Sequence, residues 1–122
     1  MSSILTSIKK SLGIAEDHTE FDADITMYIN GVLSTLNQLG IGPDEGFLIA
    51  DKTATWESFL GTDPRLNFVP SYVLMSVRMI FDPPATSFGI EAMKEMIKEY
   101  EYRISTYREV KQWVIVPSQT VE

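Results

Sequence analysis

Residues 69–84 read VPSYVLMSVRMIFDPP. Val69, Val73, Val77 and Ile80 recur at helical spacing, and Tyr72 and Phe81 extend the apolar surface around most of the cylinder. Pro70 is accepted because the first turn of a helix has backbone N–H groups with no partner to lose. Asp82-Pro83-Pro84 forces the chain out of the helix, since proline lacks the donor and restricts the residue before it. The stretch predicts a helix from about 69 to 81. A helix apolar on so many sides belongs at the centre of the domain.

Helical periodicity continues on both sides of it. Downstream, Met93, Ile97, Tyr100, Ile104 and Tyr107 step by four and three, which predicts a long helix from about 87 to 110 with Ser87 as its cap. Glu91 with Lys94, Glu95 with Lys98 and Glu99 with Arg103 supply ion pairs for its solvated faces. Upstream, Ile25, Ile29, Val32, Leu36 and Leu39 mark a helix from about 21 to 39, with acids in its first turns, where the helix dipole favours them. Gly40 and Gly42-Pro43 stop it. A shorter helix from about 3 to 12 presents Ile4, Leu5, Ile8 and Leu12 and ends at Gly13.

Residues 44–67 are irregular. Phe47-Leu48-Ile49 reads as a short strand or a packed loop, and Thr55 caps one helical turn carrying Trp56, Phe59 and Leu60 over the core. From Gln112 onward, Trp113-Val114-Ile115-Val116-Pro117 is rich in β-branched residues and reads as extended. The expectation is an all-α bundle of about four helices with an irregular middle insertion. Residues 1–111 form the domain, and residues 112–122 form an extended C-terminal tail that either packs back on the domain or joins a partner.

The chain has 122 residues, 17 acidic against 10 basic, for a net charge of −7, and no cysteine. That length suits one domain. Lacking cysteine, it has no disulfides, thiolate metal sites or thiol nucleophiles. Lys9 and Lys10 interrupt any signal-peptide core, and no stretch approaches the roughly 20 apolar residues that span a bilayer. A soluble protein is expected, with no membrane partner. Binding along DNA requires clustered cations to displace counterions from phosphates. Here the cations are interleaved with acids, and specific DNA binding is not expected.

Catalytic groupings are not evident. His18 is the sole histidine and lies among Glu16, Asp17, Glu20, Asp22 and Asp24. A calcium loop needs a glycine at its sixth position; counting from Asp17 or Asp22 gives Asp22 or Met27. Gly40-Ile41-Gly42 lacks the remainder of a phosphate loop, and no Gly-x-Ser-x-Gly elbow occurs. The expectation is a protein that is not an enzyme and carries no cofactor or metal. Arg78, four residues before Asp82, either closes its helix by a salt bridge or reaches a neighbouring subunit's carboxylate. Arg78, Asp82, Trp113, Val114, Ile115 and Val116 are therefore the candidate interface residues.

The ordered segments resemble the head–tail connector proteins of tailed bacteriophages. The resemblance runs through Leu5-Thr6-Ser7-Ile8-Lys9-Lys10-Ser11-Leu12-Gly13-Ile14, an acidic loop, Phe21-Asp22-Ala23-Asp24-Ile25 and Tyr28-Ile29-Asn30-Gly31-Val32-Leu33. It continues through Leu36-Asn37-Gln38-Leu39-Gly40-Ile41-Gly42-Pro43, Thr55-Trp56 and Phe59-Leu60. Its most specific part is Tyr72-Val73-Leu74 through Val77-Arg78-Met79-Ile80-Phe81-Asp82-Pro83-Pro84, followed by Glu99, Glu101, Arg103 and Ile104.

This resemblance implies a virion protein at the head–tail interface, made in the host bacterial cytoplasm. It implies a ring of about twelve identical subunits on the portal protein, extending the DNA channel and receiving a downstream stopper or tail-completion protein. Acidic charge suits a channel through which DNA passes without binding, because like charges repel. The competing reading without the resemblance is a helical regulator that binds one protein partner. A metal-dependent enzyme built on the acidic run around His18 is a further alternative.

Overall fold

The structure is a computed structural model; it describes the backbone of residues 3–120 and the side chains of residues 3–109. Five α-helices follow in order: α1 (Ile4–Ser11), α2 (Asp22–Gln38), α3 (Trp56–Leu60), α4 (Val69–Phe81) and α5 (Ser87–Thr120), with a 3-10 turn at Pro64–Leu66. Among the described residues the only β pairing is an isolated bridge between Ser3 and Thr55. The architecture is all-α, as the periodicity predicts.

The helix ends follow local chemistry. Ser3 caps α1 by accepting from the Thr6 N–H at 3.2 Å. Thr55 and Ser58 form a reciprocal capping box on α3, which fixes two otherwise orphaned donors. At the end of α2 the chain turns on Gly40 and Gly42, both at positive φ. Asn37 Nδ2 donates to the carbonyls of Ile41 and Pro43 at 3.2 and 2.6 Å, holding that turn closed. A β-carbon on Gly42 would lie 2.5 Å from Phe59 Cε1, so only glycine admits the approach of α3's ring.

α2 and α4 pack against each other at the centre, α1 covers α2, and α5 lies along α4. Ile25, Ile29, Leu33 and Leu36 of α2 and Val69, Val73 and Val77 of α4 are fully buried, together with Ile4 and Ile8 of α1 and Ile104 of α5. Each such side chain stabilises the fold by roughly 1.5–3 kcal/mol of transfer free energy. α4 is not buried on all sides. Ile80 shares the face of Val73 and Val77, yet is 55% exposed. Periodicity assigns a residue to a face, but not the length over which a neighbour covers that face.

The irregular middle section is a packed loop, not a strand. Asn30 of α2 clasps it by donating to the Ile49 carbonyl at 3.0 Å and accepting from the Ile49 N–H at 2.8 Å. This satisfies a backbone unit that has no ladder to join. Trp56 closes the bottom of the core, its indole N–H donating to Ser7 Oγ at 2.9 Å.

The tail departs from expectation. Residues 112–120, expected to be extended, continue α5 as far as Thr120. No glycine or proline separates Gly89 from Pro117. Extending a nucleated helix through β-branched residues costs only about 0.7 kcal/mol or less per residue. Pro117 removes one donor, and that loss falls in the final turn.

Candidate functional site

α1, α2 and α4 bury their apolar faces on one another, and α5 packs one face along α4 while keeping a broad outer surface. On it, Glu91–Lys94, Glu95–Lys98 and Glu99–Arg103 pair at 3.7, 3.8 and 3.2 Å, as their spacing predicts. Its inner face supplies Ile104 to the core. Tyr100 and Tyr107 flank Ile104 at the boundary, half-buried.

Where α5 passes the start of α4, a groove of about 500 Å³ opens between Pro64, Arg65 and Phe68 on one wall and Tyr102, Arg103 and Tyr107 on the other. Its walls are aromatic rings backed by guanidinium groups. Phe68 stacks on Tyr100 at 5.5 Å between ring centres. Arg103 lies 5.7 Å over Tyr100, and Arg65 5.1 Å over Tyr107. Such cation–π contacts contribute about 0.5–1 kcal/mol each at exposed positions, and they hold the guanidinium planes still.

Asp63 organises one wall. Its carboxylate accepts from Arg65 Nε and Nη2, at 3.1 and 2.9 Å, and from the Tyr107 hydroxyl at 3.0 Å. It also accepts from the Arg65 backbone N–H at 2.9 Å. These bonds, the Arg65 side chain's first, hold the Asp63 carboxyl at about 2. The same pair raises Arg65. Burial, then the hydrogen bond to Asp63, raises the Tyr107 phenol. Deeper in, Tyr72 donates to Glu101 Oε2 at 3.1 Å; burial first, then the Glu101 charge, raises its phenol as well.

A second polar centre lies at the opposite end of the domain. Lys9 is 2% exposed, and its ammonium sits 2.7 Å from Asp22 Oδ1 and donates to the Glu16 carbonyl at 3.0 Å. It fastens α1 to the acidic loop and to the first turn of α2. Nothing local to Lys9 announces this role, because Asp22 lies 13 positions along the chain.

The candidate interface residues fall as follows. Arg78 is half-buried and Asp82 exposed at the end of α4. Arg78 Nε donates to the Asp82 carbonyl at 3.3 Å. Among the described residues the guanidinium therefore caps the helix through the main chain, and no ion pair joins it to the Asp82 carboxylate. Trp113, Val114, Ile115 and Val116 lie in the backbone of α5, and their side chains fall outside the described residues. His18 is exposed, its Nε2 3.8 Å from Glu20. No group of three acids or histidines among the described residues could hold a metal ion. No helix is long and apolar enough to cross a membrane among those residues.

Sequence reasoning missed the Asp63–Arg65–Tyr107 cluster. Asp63-Pro64 signals a turn, and Tyr107 belongs to the α5 stripe. The two come together across 44 positions, a pairing that no local spacing reveals.

The fold and groove define a small all-α domain with one arginine-and-aromatic surface on its longest helix. A family model described as phage connector protein matches residues 4–111, and the chain belongs to that family. The family is structural, and its members are components of the phage particle. No curated protein and no solved structure matches the chain.

Proposed function

We propose that the chain is the head–tail connector subunit of a tailed phage. It assembles as a ring of about twelve copies on the portal protein, extends the DNA channel and presents a surface to the next head-completion or tail protein. The observation that carries this reading is the family match over residues 4–111, nearly the whole domain. The net charge of −7 supports it, since an acidic passage lets DNA slide without phosphate contacts.

In this reading the segment 112–122, beyond the matched residues, grips the portal, with Trp113, Val114, Ile115 and Val116 as its apolar contacts. Arg78 and Asp82 face a neighbouring subunit. Cosedimentation with the purified portal ring of the same phage tests this. Full-length protein sediments with the ring. Protein lacking residues 112–122 stays in the supernatant while residues 4–111 keep their helical circular dichroism. Undiminished binding by the truncated protein removes the tail from the contact.

A further inference from the structure

The groove between the start of α4 and α5 combines three features. It is walled by aromatic rings, its size admits a few side chains, and it holds two arginines already fixed in plane. Arg65 gives Nε and Nη2 to Asp63, and Arg103 gives Nε to Glu99. Among the described residues, Nη1 of Arg65 and both Nη groups of Arg103 have no acceptor. The two side chains remain 60% and 53% exposed. A planar fork with open donors beside an aromatic wall is suited to a carboxylate arriving from outside.

The same chain carries a matching segment. Residues 16–20 hold Glu16, Asp17 and Glu20 in an exposed loop. Glu16 and Glu20 reach only Lys52 and His18, each at 3.8 Å, and Asp17 has no partner among the described residues. This loop cannot reach the groove of its own molecule. Phe21, which follows it, packs edge-on against Phe81 at the C-terminal end of α4. The groove lies beside Phe68, at the N-terminal end. The 13 residues of α4 separate the two sites by about 20 Å of helix.

Resting on the connector reading, we propose that the acidic loop of residues 16–20 of one copy seats in the Arg65–Arg103 groove of the next copy. The contact is heterologous, joining different surfaces of identical chains, which is the kind that closes into rings. Glu99 also lines the groove, and both arginines already pair with a carboxylate, Arg65 with Asp63 and Arg103 with Glu99. What the groove offers the loop is therefore the open Nη donors of two held guanidinium groups, which a carboxylate of the loop can take up.

The chain contains no cysteine, so an engineered pair reports the contact without background. Asp17→Cys with Thr106→Cys, both at exposed positions, is bound to the portal ring of the same phage and oxidised. Non-reducing electrophoresis is then expected to show a ladder beyond dimer, with each single-cysteine protein giving none. Rings seen by electron microscopy without a ladder overturn the loop-in-groove contact and leave the connector reading standing. A crosslinked product that stops at dimer overturns the head-to-tail arrangement. Failure of the unsubstituted protein to assemble on the portal overturns the connector reading itself, and this proposal with it.

A charge exchange provides a second measure. Arg103→Glu raises the half-assembly concentration by about tenfold, and adding Glu20→Arg restores it. Equal assembly by all three proteins overturns the contact.

Discussion

The Lys9 ammonium and the Asp22 carboxylate meet at 2.7 Å, with the lysine side chain 3% and the aspartate side chain 31% exposed. Removing a charge from water is costly unless partners replace the hydration. Asp22 and the Glu16 carbonyl do so here, which ties the first helix, the acidic loop and the second helix into one unit.

Lys9→Met therefore leaves a carboxylate and a carbonyl without their donor. It should lower the unfolding free energy by about 2 kcal/mol, below the usual figure for a fully buried pair because Asp22 is partly solvated. Urea unfolding measures this, and a change within about 0.5 kcal/mol would mean that water replaces the ammonium without loss.

Gly42 stands at φ +90° with the Phe59 ring where its β-carbon would be. Gly42→Ala should destabilise by about 2–4 kcal/mol, combining backbone strain with displacement of the ring. Gly46, also at positive φ but with open space around it, is the control: Gly46→Ala should show the smaller loss.

Much of this was legible in the sequence. Spacings of four and three at Ile25–Leu39 and Met93–Tyr107, with stops at Gly40 and Pro83, placed the long helices because amphipathic periodicity and helix ends are local properties. Thr55 and Trp56 marked the short capped turn for the same reason. The burial of Lys9 was not legible, since its partner lies 13 positions away; the lysine follows Leu5 by one turn, on the flank of the buried face of α1, and only the partner makes that place tenable. The Asp63–Tyr107 bond depends on α5 lying back along α4. The continuation of α5 to Thr120 runs against the β-branched composition of residues 114–116, because a helix already nucleated and meeting no stop before Pro117 extends at small cost per residue.

Asp63 gives the fold an acid-sensitive joint. Its carboxyl is held at about 2 against an ordinary 3.8, so the native state favours the ionised form. Its contribution is fully present above 3.8 and is lost as the pH falls towards 2. Unfolding followed across that window should show Asp63→Asn losing less stability on acidification than the unsubstituted protein. Parallel pH curves would contradict this.

Ile104 is the fully buried side chain of the described part of α5, at 0% exposure, with Ile97, Tyr100 and Tyr107 packed partly buried beside it. Ile104→Ala should cost about 2–5 kcal/mol. Amide exchange should accelerate in α5 before α2, because α2 retains its packing on α4. Uniform acceleration throughout the chain would mean that α5 does not open separately.

The central claim is that this chain is a connector subunit, and counting copies on the portal tests it most directly. The purified protein is mixed with the portal ring of the same phage and examined by native mass spectrometry and electron microscopy. The account predicts one added copy per portal subunit, arranged as a second ring on the same axis with an open channel. A protein that stays monomeric beside an intact portal ring would contradict it.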